Sequence, residues 1–394
     1  MLGLLLCGVS LAAAYVAPSP TLVLDTARQL QQEFFRIDLQ TQRNLDRVLA
    51  LYKEFKIDAT AFHGVNGYGH GDYGRECLDG IVARLMGAEA ALVRLQLFSG
   101  THAISTALFG RMITVFDTVF DSSLVGSLRP GENMLCVSGH PYDTLEEVIG
   151  QRPGHQTGNY RGSLLDWGIG YSELELLYSD EARAANGDIV AFDFPSIDRA
   201  IEADPKIKLI HIQRSCGYQW RPSIPVQEIG RLCSHIKEKY KSRELVIFVD
   251  NCYGELVEEV EPCHVGADLL AGSLIKNLGG TLAPCGGYIA GREDLVQRAT
   301  VHLSAPGVDG GATFNMYRYL FQGLFMAPSV VGESLKGAML VSEVMETNLG
   351  FGCNPKPKGH RTDIIQAVRL GSRERLIAFC EAVQRKSPVG AHIR

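Results

Sequence analysis

The 394-residue sequence has no CxxC pair, although it contains ten cysteines. Paired cysteines at that spacing are typical of zinc sites and thioredoxin-like redox sites, so their absence argues against both and favours buried free thiols in a reducing compartment. The sequence also has no long basic run, and 38 basic residues against 44 acidic residues give a net charge of −6. This balance argues against a nucleic-acid partner.

Long apolar runs are scarce as well. Residues 1–20 (MLGLLLCGVSLAAAYVAPSP) resemble a signal peptide, but they carry no positive charge at the start and are too short for a comfortable membrane span. The AAAYVAP piece resembles the cleavage region of a plastid-targeting leader, so cytoplasmic and plastid locations both stay open. No later stretch is expected to form a stable membrane span, and the sequence has no internal repeat.

The sequence does contain enough apolar material for a large core. Hydrophobic residues make up 46% of it, which at this length suggests about two domains. The run Leu245–Asp250 (LVIFVD) is typical of a buried parallel strand that ends in a carboxylate, and open α/β sheets bind ligands beyond such strand ends. Lys276 lies between a second apolar segment and a glycine pair, a poor place for a solvated charge. A partly desolvated lysine loses its proton more easily and can attack an aldehyde.

Five segments in this order, SGTHA, HPYDT, IQRS, VDNCYGE and SLIKNLGG, resemble those of the methionine gamma-lyase-like or aluminium-resistance proteins. These proteins are a branch of the fold-type I enzymes that use pyridoxal 5'-phosphate (PLP), and the resemblance covers residues 24–390. It implies that Lys276 holds PLP covalently and moves protons, while Asp250 keeps the pyridine nitrogen protonated. Taken alone, the pair would more simply be a strand-end acid that caps a turn and a lysine at the rim.

Ser99, Gly100 and Thr101 follow a strand that is predicted for residues 90–98, and they open a predicted helix. The first turn of a helix presents free N–H groups and the positive end of the helix dipole, which suits a phosphate, although Ser99 would also serve as an ordinary N-cap. The resemblance implies that these residues bind the cofactor phosphate and that Ser273, three residues before Lys276, adds a hydroxyl. Packing of a small residue under the lysine explains Ser273 equally well.

The glycine-dense loop before residue 76 contains a GxGxxG pattern at Gly69–Gly74. No strand precedes this pattern, which argues against a dinucleotide-binding site. In the family that the chain resembles, this loop lies near the cofactor phosphate of an adjacent subunit. Tyr68 and Arg75 are therefore candidate cofactor contacts in a homodimer or homotetramer, and loop packing explains them equally well. A helix is predicted to begin at Glu76.

Two further candidates flank the predicted sheet. Tyr142 lies just before a predicted helix, where the resembled family stacks an aromatic ring on the pyridine; His140 is the second candidate, and surface packing of Tyr142 is the alternative. Arg214 follows the predicted strand at 208–213 and therefore points toward the same edge as Asp250. It could contact the cofactor or a carboxylate of the substrate, and a salt bridge at the rim explains it equally well.

The predicted fold is α/β, a fold-type I PLP-dependent transferase-like fold with a doubly wound, mostly parallel sheet, a helical N-terminal arm and a truncated small C-terminal domain. The predicted division is a leader-like segment at 1–20, the arm and loop at 21–75, a PLP-binding large domain at 76–348 and the start of the small domain at 349–394. Family members usually continue with a segment that carries an arginine for the substrate carboxylate, for which Arg369 is a poor substitute. An incomplete chain and a protein with impaired substrate binding are the two explanations.

The resemblance implies PLP-dependent carbon–sulfur lyase chemistry on a small sulfur-containing amino acid. Lys276 would attach the cofactor and take the α-proton, while Asp250, Tyr142 and the phosphate-binding residues would hold the cofactor in place. The alternatives are another fold-type I reaction, such as that of a cystathionine-type lyase, an aldolase or a transaminase, or a PLP-binding pseudoenzyme. Many chemistries share this type of site, so the sequence indicates the cofactor better than the reaction.

Overall fold

The computed structural model describes residues 20–109, 128–152, 162–178, 190–305, 308, 310–311 and 315–392. The helices are α1 (Pro20–Gln29), α2 (Gln31–Glu54), α3 (Tyr73–Met86), α4 (Gly100–Phe109), α5 (Asp143–Ile149), α6 (Phe194–Ala203), α7 (Val226–Lys239), α8 (Glu293–Leu303), α9 (Tyr317–Glu343) and α10 (Arg373–Lys386). The strands are β1 (Ala90–Arg94), β2 (Asn133–Cys136), β3 (Gly170–Glu173), β4 (Leu177–Tyr178), β5 (Val190–Ala191), β6 (Ile207–Gln213), β7 (Val246–Asp250), β8 (Leu269–Ser273), β9 (Gly287–Gly291), β10 (Gly352–Asn354) and β11 (Ala367–Arg369). Short 3₁₀ turns lie at Ala59–Phe62, Leu165–Trp167 and Pro262–Val265, and a π-helical turn, Val344–Asn348, extends α9.

A seven-stranded sheet in the order β1-β9-β8-β7-β6-β2-β3 forms the centre of the fold. Strand β9 is antiparallel to both of its neighbours, and the other pairs are parallel, so the sheet is mostly parallel. The predicted α/β fold is therefore confirmed. The register places Gln213 beside Asp250 and Asp250 beside Ala271, which brings the carboxyl ends of three strands to one edge.

Strand β7 shows why this apolar run forms the middle of the sheet. All five of its residues are buried, with Ile247 and Val249 in the core on one face and Val246 and Phe248 in the core on the other. Side chains from α3, α6, α7 and α9 share the first core, and side chains from α4, α5 and α8 share the second. Burial on both faces stabilises the strand by about 2 kcal/mol for each large apolar side chain.

Two predicted boundaries differ from the structure. Helix α3 begins at Tyr73, three residues before the predicted start at Glu76, because the Asp72 carboxylate caps it by accepting the Arg75 N–H at 3.2 Å. Strand β1 ends at Arg94 and does not reach residue 98, because Arg94 pairs with the first residue of β9 and the following residues have no partner strand.

Helix α9 with its π-helical turn, Tyr317–Asn348, is long and apolar enough to cross a bilayer, and no other helix in the described ranges is. Length and composition alone do not show that this helix spans a membrane, so the expectation of no stable membrane span stays a prediction. In addition, 44% of its most apolar window is buried. The Tyr52 hydroxyl on α2 donates to the Phe321 carbonyl, and a Cβ added at Gly332 would lie 2.1 Å from the Thr41 hydroxyl. Such close packing on α2 is typical of a core helix.

The chain beyond α9 forms a small sheet of β10 and β11, followed by α10, around a separate cluster of buried apolar side chains. Two hydrogen bonds join this region to loops at the carboxyl edge of the large sheet. The Ser215 hydroxyl donates to Asp363 at 2.7 Å, and the Ile364 N–H donates to the Tyr253 carbonyl at 3.3 Å. The predicted domain boundary at residue 349 stays a prediction.

Candidate active site

Asp250 is the last residue of β7, and only 3% of it is exposed. Its carboxylate accepts the Cys252 N–H at 3.1 Å. Burial raises the pKa of Asp250 to about 6, although that hydrogen bond and the positive charges of Arg221 and Lys276 act in the opposite direction. Strand β7 pairs with β8, and Asp250 lies beside Ala271, so the carboxylate lies at the same edge of the sheet as the turn that follows β8. A buried carboxylate of this kind favours a cationic partner.

Lys276 lies on the turn that follows β8, and its side chain is half-buried. Its amine donates a hydrogen bond to the Tyr253 hydroxyl and lies 4.2 Å from the centroid of the Tyr253 ring. The lysine is thus engaged with one aromatic side chain at the sheet edge and is not freely solvated, as its place in the sequence suggests.

The glycine pair after Lys276 lets this turn pack closely. A Cβ added at Gly279 would lie 1.7 Å from the Leu274 carbonyl oxygen. Gly280 has a φ of +54°, and a Cβ there would lie 2.0 Å from the Gly323 carbonyl oxygen on α9. Only glycine permits both approaches, so the pair fixes the lysine turn against α9.

The first turn of α4 lies against the ends of β7 and β8. A Cβ added at Gly100 would lie 2.8 Å from the Cys252 sulfur and 3.1 Å from the Ser273 Cβ. The Ser99 hydroxyl accepts the His102 N–H at 3.2 Å, so Ser99 acts as the N-cap. The N–H groups of Gly100 and the next residue have no partner within the helix and are suited to an anion.

Ser273 occupies the last position of β8 and is fully buried. Its hydroxyl accepts the Ile275 N–H at 3.3 Å. This contact supports the packing explanation that the sequence leaves open. The hydroxyl proton is still available to a phosphate, because the oxygen acts only as an acceptor in this contact.

Tyr142 connects α4 to the centre of the sheet. Its hydroxyl shares a hydrogen bond with the Thr101 hydroxyl at 3.2 Å, and its backbone N–H donates to the Gln213 side chain at 3.1 Å. Burial raises the pKa of Tyr142, and the negative charge of Asp250 raises it further. The phenol is therefore neutral at physiological pH, and its side chain lies within electrostatic range of Asp250.

His140, the second candidate for the aromatic position, is held by two carboxylates. Its ring nitrogens lie 3.1 Å from Glu173 and 3.0 Å from Glu146. Burial lowers the pKa of His140, but the hydrogen bonds to these carboxylates outweigh it, so the pKa is raised. These ion pairs leave Tyr142 as the better candidate.

Arg214 is enclosed by acidic groups. Its side chain is fully buried and donates to Glu258 at 2.6 Å and to Asn251 at 2.7 Å, with Glu261 at 3.4 Å. Burial acts to lower the pKa of Arg214, but the two carboxylates outweigh it and the pKa is raised. These contacts favour a salt bridge between Arg214 and the two glutamates over a contact with the substrate. The salt bridge is buried and does not lie at the rim.

Tyr68 and Arg75 do not contact the residues around Asp250 within the described part of the chain. Tyr68 is 66% exposed, and the Arg75 guanidinium donates to the Gly311 carbonyl at 3.1 Å. Their predicted role depends on a second subunit and stays a prediction.

Sequence reasoning missed two residues of this region. Tyr253, which contacts Lys276, has a φ of +70°, a value that is uncommon for tyrosine, and its place in the VDNCYGE segment was the available signal. Arg221 is buried and donates to the Gln213 and Ser215 carbonyls at 2.8 and 2.7 Å, and its charge lowers the pKa of Asp250. The surrounding loop sequence gave no signal for Arg221.

Gly100 provides a test of the predicted phosphate site. We expect Gly100→Ala to weaken binding of pyridoxal phosphate by about 10-fold or more and to destabilise the fold by about 1–3 kcal/mol, because the added methyl group would clash with Cys252 and Ser273. Gly337→Ala on α9 is the matched control, since a Cβ there meets nothing within 4 Å. Equilibrium titration and thermal unfolding measure both effects. Equal cofactor affinity and equal thermal stability in the two variants would contradict the close packing of Gly100.

The chain was compared with known protein families, sequences and structures. A sequence profile described as methionine gamma-lyase matches residues 20–394. The uncharacterized protein YnbB of Bacillus subtilis (strain 168) is 43% identical over 378 residues, which cover 94% of this chain and 82% of that protein. A crystal structure from Listeria monocytogenes has a TM-score of 0.82 and 40% identity, covering 95% of this chain and 84% of the other.

Two further crystal structures extend the comparison. A carbon-sulfur lyase involved in aluminum resistance from Clostridium novyi NT has a TM-score of 0.81 and 38% identity, covering 94% of this chain and 82% of the other. The pyridoxal-5'-phosphate dependent protein YhfS from Escherichia coli shares the fold, with a TM-score of 0.52 and 14% identity over 80% of this chain and 70% of the other. The family profile extends over all but the first 19 residues, so this chain belongs to the methionine gamma-lyase family.

Proposed function

We propose that this chain binds PLP through Lys276 and catalyses carbon–sulfur bond cleavage in a sulfur-containing amino acid. The observation that carries the proposal is a shared position at one edge of the sheet. The buried Asp250 carboxylate ends β7, the Lys276 turn follows the adjoining strand β8, and the first turn of α4 packs against both strand ends. The family of the chain and the carbon-sulfur lyase of Clostridium novyi NT support the reaction class.

The residues at this edge fit each part of the cofactor. A protonated ring nitrogen beside Asp250 would compensate for the burial that raises the pKa of this carboxylate to about 6. The N–H groups at the start of α4 and the Ser273 hydroxyl suit a phosphate. The Tyr142 ring, held by Thr101 and Gln213, suits stacking on a flat ring.

PLP, when bound, supplies an electron-withdrawing ring that stabilises negative charge at the substrate α-carbon. Lys276 would take the α-proton through its neutral amine, because its half-buried side chain lies at the edge of the sheet where the cofactor is proposed to bind. Asp250 holds a compensating negative charge, and its burial excludes water that would screen that charge. Tyr142 stays neutral and orients the ring without adding a charge.

The proposed assembly is a homodimer or homotetramer with shared active sites. Its support is the 66% exposure of Tyr68, which leaves this ring available to a second copy of the chain. Arg75 would reach the cofactor phosphate of the same adjacent subunit.

The test is a product assay of the PLP-loaded protein with methionine, cystathionine and cysteine. We expect thiol and 2-oxo acid to be released in equal amounts from at least one of them. Amino-group transfer without thiol release would favour a transaminase, and carbon–carbon cleavage would favour an aldolase. A protein that binds the cofactor in the absence of turnover would be a pseudoenzyme, and each of these outcomes would contradict the lyase.

A further inference from the structure

Tyr253 is the side chain that holds the Lys276 amine. The amine donates a hydrogen bond to the Tyr253 hydroxyl and lies 4.2 Å from the ring centroid, so oxygen and ring both contact the same nitrogen. A hydrogen bond and a cation–π contact each stabilise the charged amine. The Lys276 amine, which is proposed to react, is therefore already hydrogen-bonded to a second group that carries a proton, the Tyr253 hydroxyl.

The backbone of Tyr253 is fixed from two directions. Its carbonyl accepts the Asn277 side-chain amide at 3.0 Å and the Ile364 N–H at 3.3 Å. Asn277 is 2% exposed and follows Lys276 directly, whereas Ile364 belongs to the segment near β11. The φ of Tyr253 is +70°, which is uncommon for tyrosine. Such a backbone conformation persists only where the surrounding contacts fix it. These contacts hold the phenol beside the lysine.

We propose that Tyr253 relays a proton from Lys276 to the leaving sulfur of the substrate, an inference that rests on the proposed lyase function. In a β-elimination, Lys276 Nζ takes the α-proton as the C–H bond breaks and an N–H bond forms, and the electron pair of that C–H bond becomes the second bond between the α- and β-carbons as sulfur leaves. When the C–S bond breaks, its electron pair leaves with sulfur. The Tyr253 phenol then gives its proton to sulfur and recovers one from the Lys276 ammonium. Both side chains return to their starting protonation states, and this step needs no other reactant.

The test compares Tyr253→Phe, which keeps the ring and removes the hydroxyl, with Tyr319→Phe, the same change at a half-exposed position on α9. The first readout uses cofactor-free protein and measures the rate at which acetic anhydride labels Lys276, by peptide mapping. We expect labelling about fivefold faster in Tyr253→Phe because the amine loses one hydrogen bond. An unchanged rate would overturn the contact on which the relay depends.

The second readout uses PLP-loaded protein and follows both ends of the relay. For Tyr253→Phe we expect the rate at which the substrate α-proton exchanges with deuterated water to stay within about threefold of the wild-type rate. We expect the rate of thiol release to fall about 10²-fold, because one acid–base group is lost. An equal fall in both rates, or full thiol release, would overturn the relay. Wild-type protein that exchanges no α-proton would contradict the proposed function itself, and the relay with it.

Discussion

Lys276→Ala is expected to abolish covalent attachment of PLP and to lower thiol release by at least about 10³-fold. The change removes the amine that attaches the cofactor and, with it, the base that takes the α-proton, and general acid–base groups alone contribute about 10²–10⁴-fold. Because the side chain is half-buried on a turn, the truncation leaves the sheet core intact. Borohydride reduction, peptide mapping and the thiol assay measure the two losses.

The matched control is Lys241→Ala, which removes an exposed lysine just before β7, at the opposite edge of the sheet. This variant should keep the reduced label on Lys276 and the activity of the wild type. A label that persists in Lys276→Ala on another lysine would show that the cofactor is anchored elsewhere and would reject the assignment.

Asp250→Asn is expected to lower thiol release by about 10²-fold or more while the fold is kept. The amide has the shape of the carboxylate but no charge, so the protonated ring nitrogen would lose its buried partner. Removal of one partner from a buried ion pair costs about 3–5 kcal/mol. The steady-state rate and the absorbance of the loaded protein measure the effect, and Asp46→Asn on the exposed face of α2 is the control. Wild-type activity in Asp250→Asn would contradict the role of the carboxylate.

The same variant should change the pH dependence of stability in the cofactor-free protein. The pKa of Asp250 is about 6 in the folded chain and 3.8 in the unfolded chain, so the folded state binds the proton more tightly. Its stabilising contribution is complete below pH 3.8 and is lost as the pH rises through 6, by about 3 kcal/mol for a difference of about 2 in pKa.

Asparagine does not titrate, so only the wild type loses stability between pH 4 and pH 7 through this position. The free energy of unfolding of Asp250→Asn minus that of the wild type should therefore be larger at pH 7 than at pH 4. Urea unfolding at both pH values measures the difference in the free energy of unfolding. A difference that does not change with pH would mean that the folded carboxylate is not desolvated.

The strand that carries Asp250 could be predicted from the sequence because its signal is local. The apolar run Leu245–Asp250, which ends in an acid, predicts β7 to within one residue. The direction of a parallel strand then determines at which edge of the sheet the acid lies. Helix α4 and the lysine turn could be predicted for the same reason. The segments on which the family resemblance depends also lie in these local elements, and the profile match confirms that resemblance.

Arg214 shows where local reasoning fails. Its position after β6 correctly indicates the edge of the sheet, but the direction of its side chain depends on Glu258 and Glu261, more than forty residues further along the chain. Placing such a charge in the interior without partners would be very unfavourable, so distant carboxylates decide its conformation. A strand-end position alone could not distinguish this ion pair from a substrate contact.

The sequence by itself determined the fold class, the apolar strand with its terminal carboxylate and the lysine before a glycine pair. Only the tertiary structure decided which side chains contact them, including the Tyr253 hydroxyl on Lys276 and the Cys252 sulfur against Gly100. The reason is physical: strands and helices follow from the spacing of apolar residues over one or two turns. Contacts between loops arise only when the sheet brings distant strand ends to a common edge.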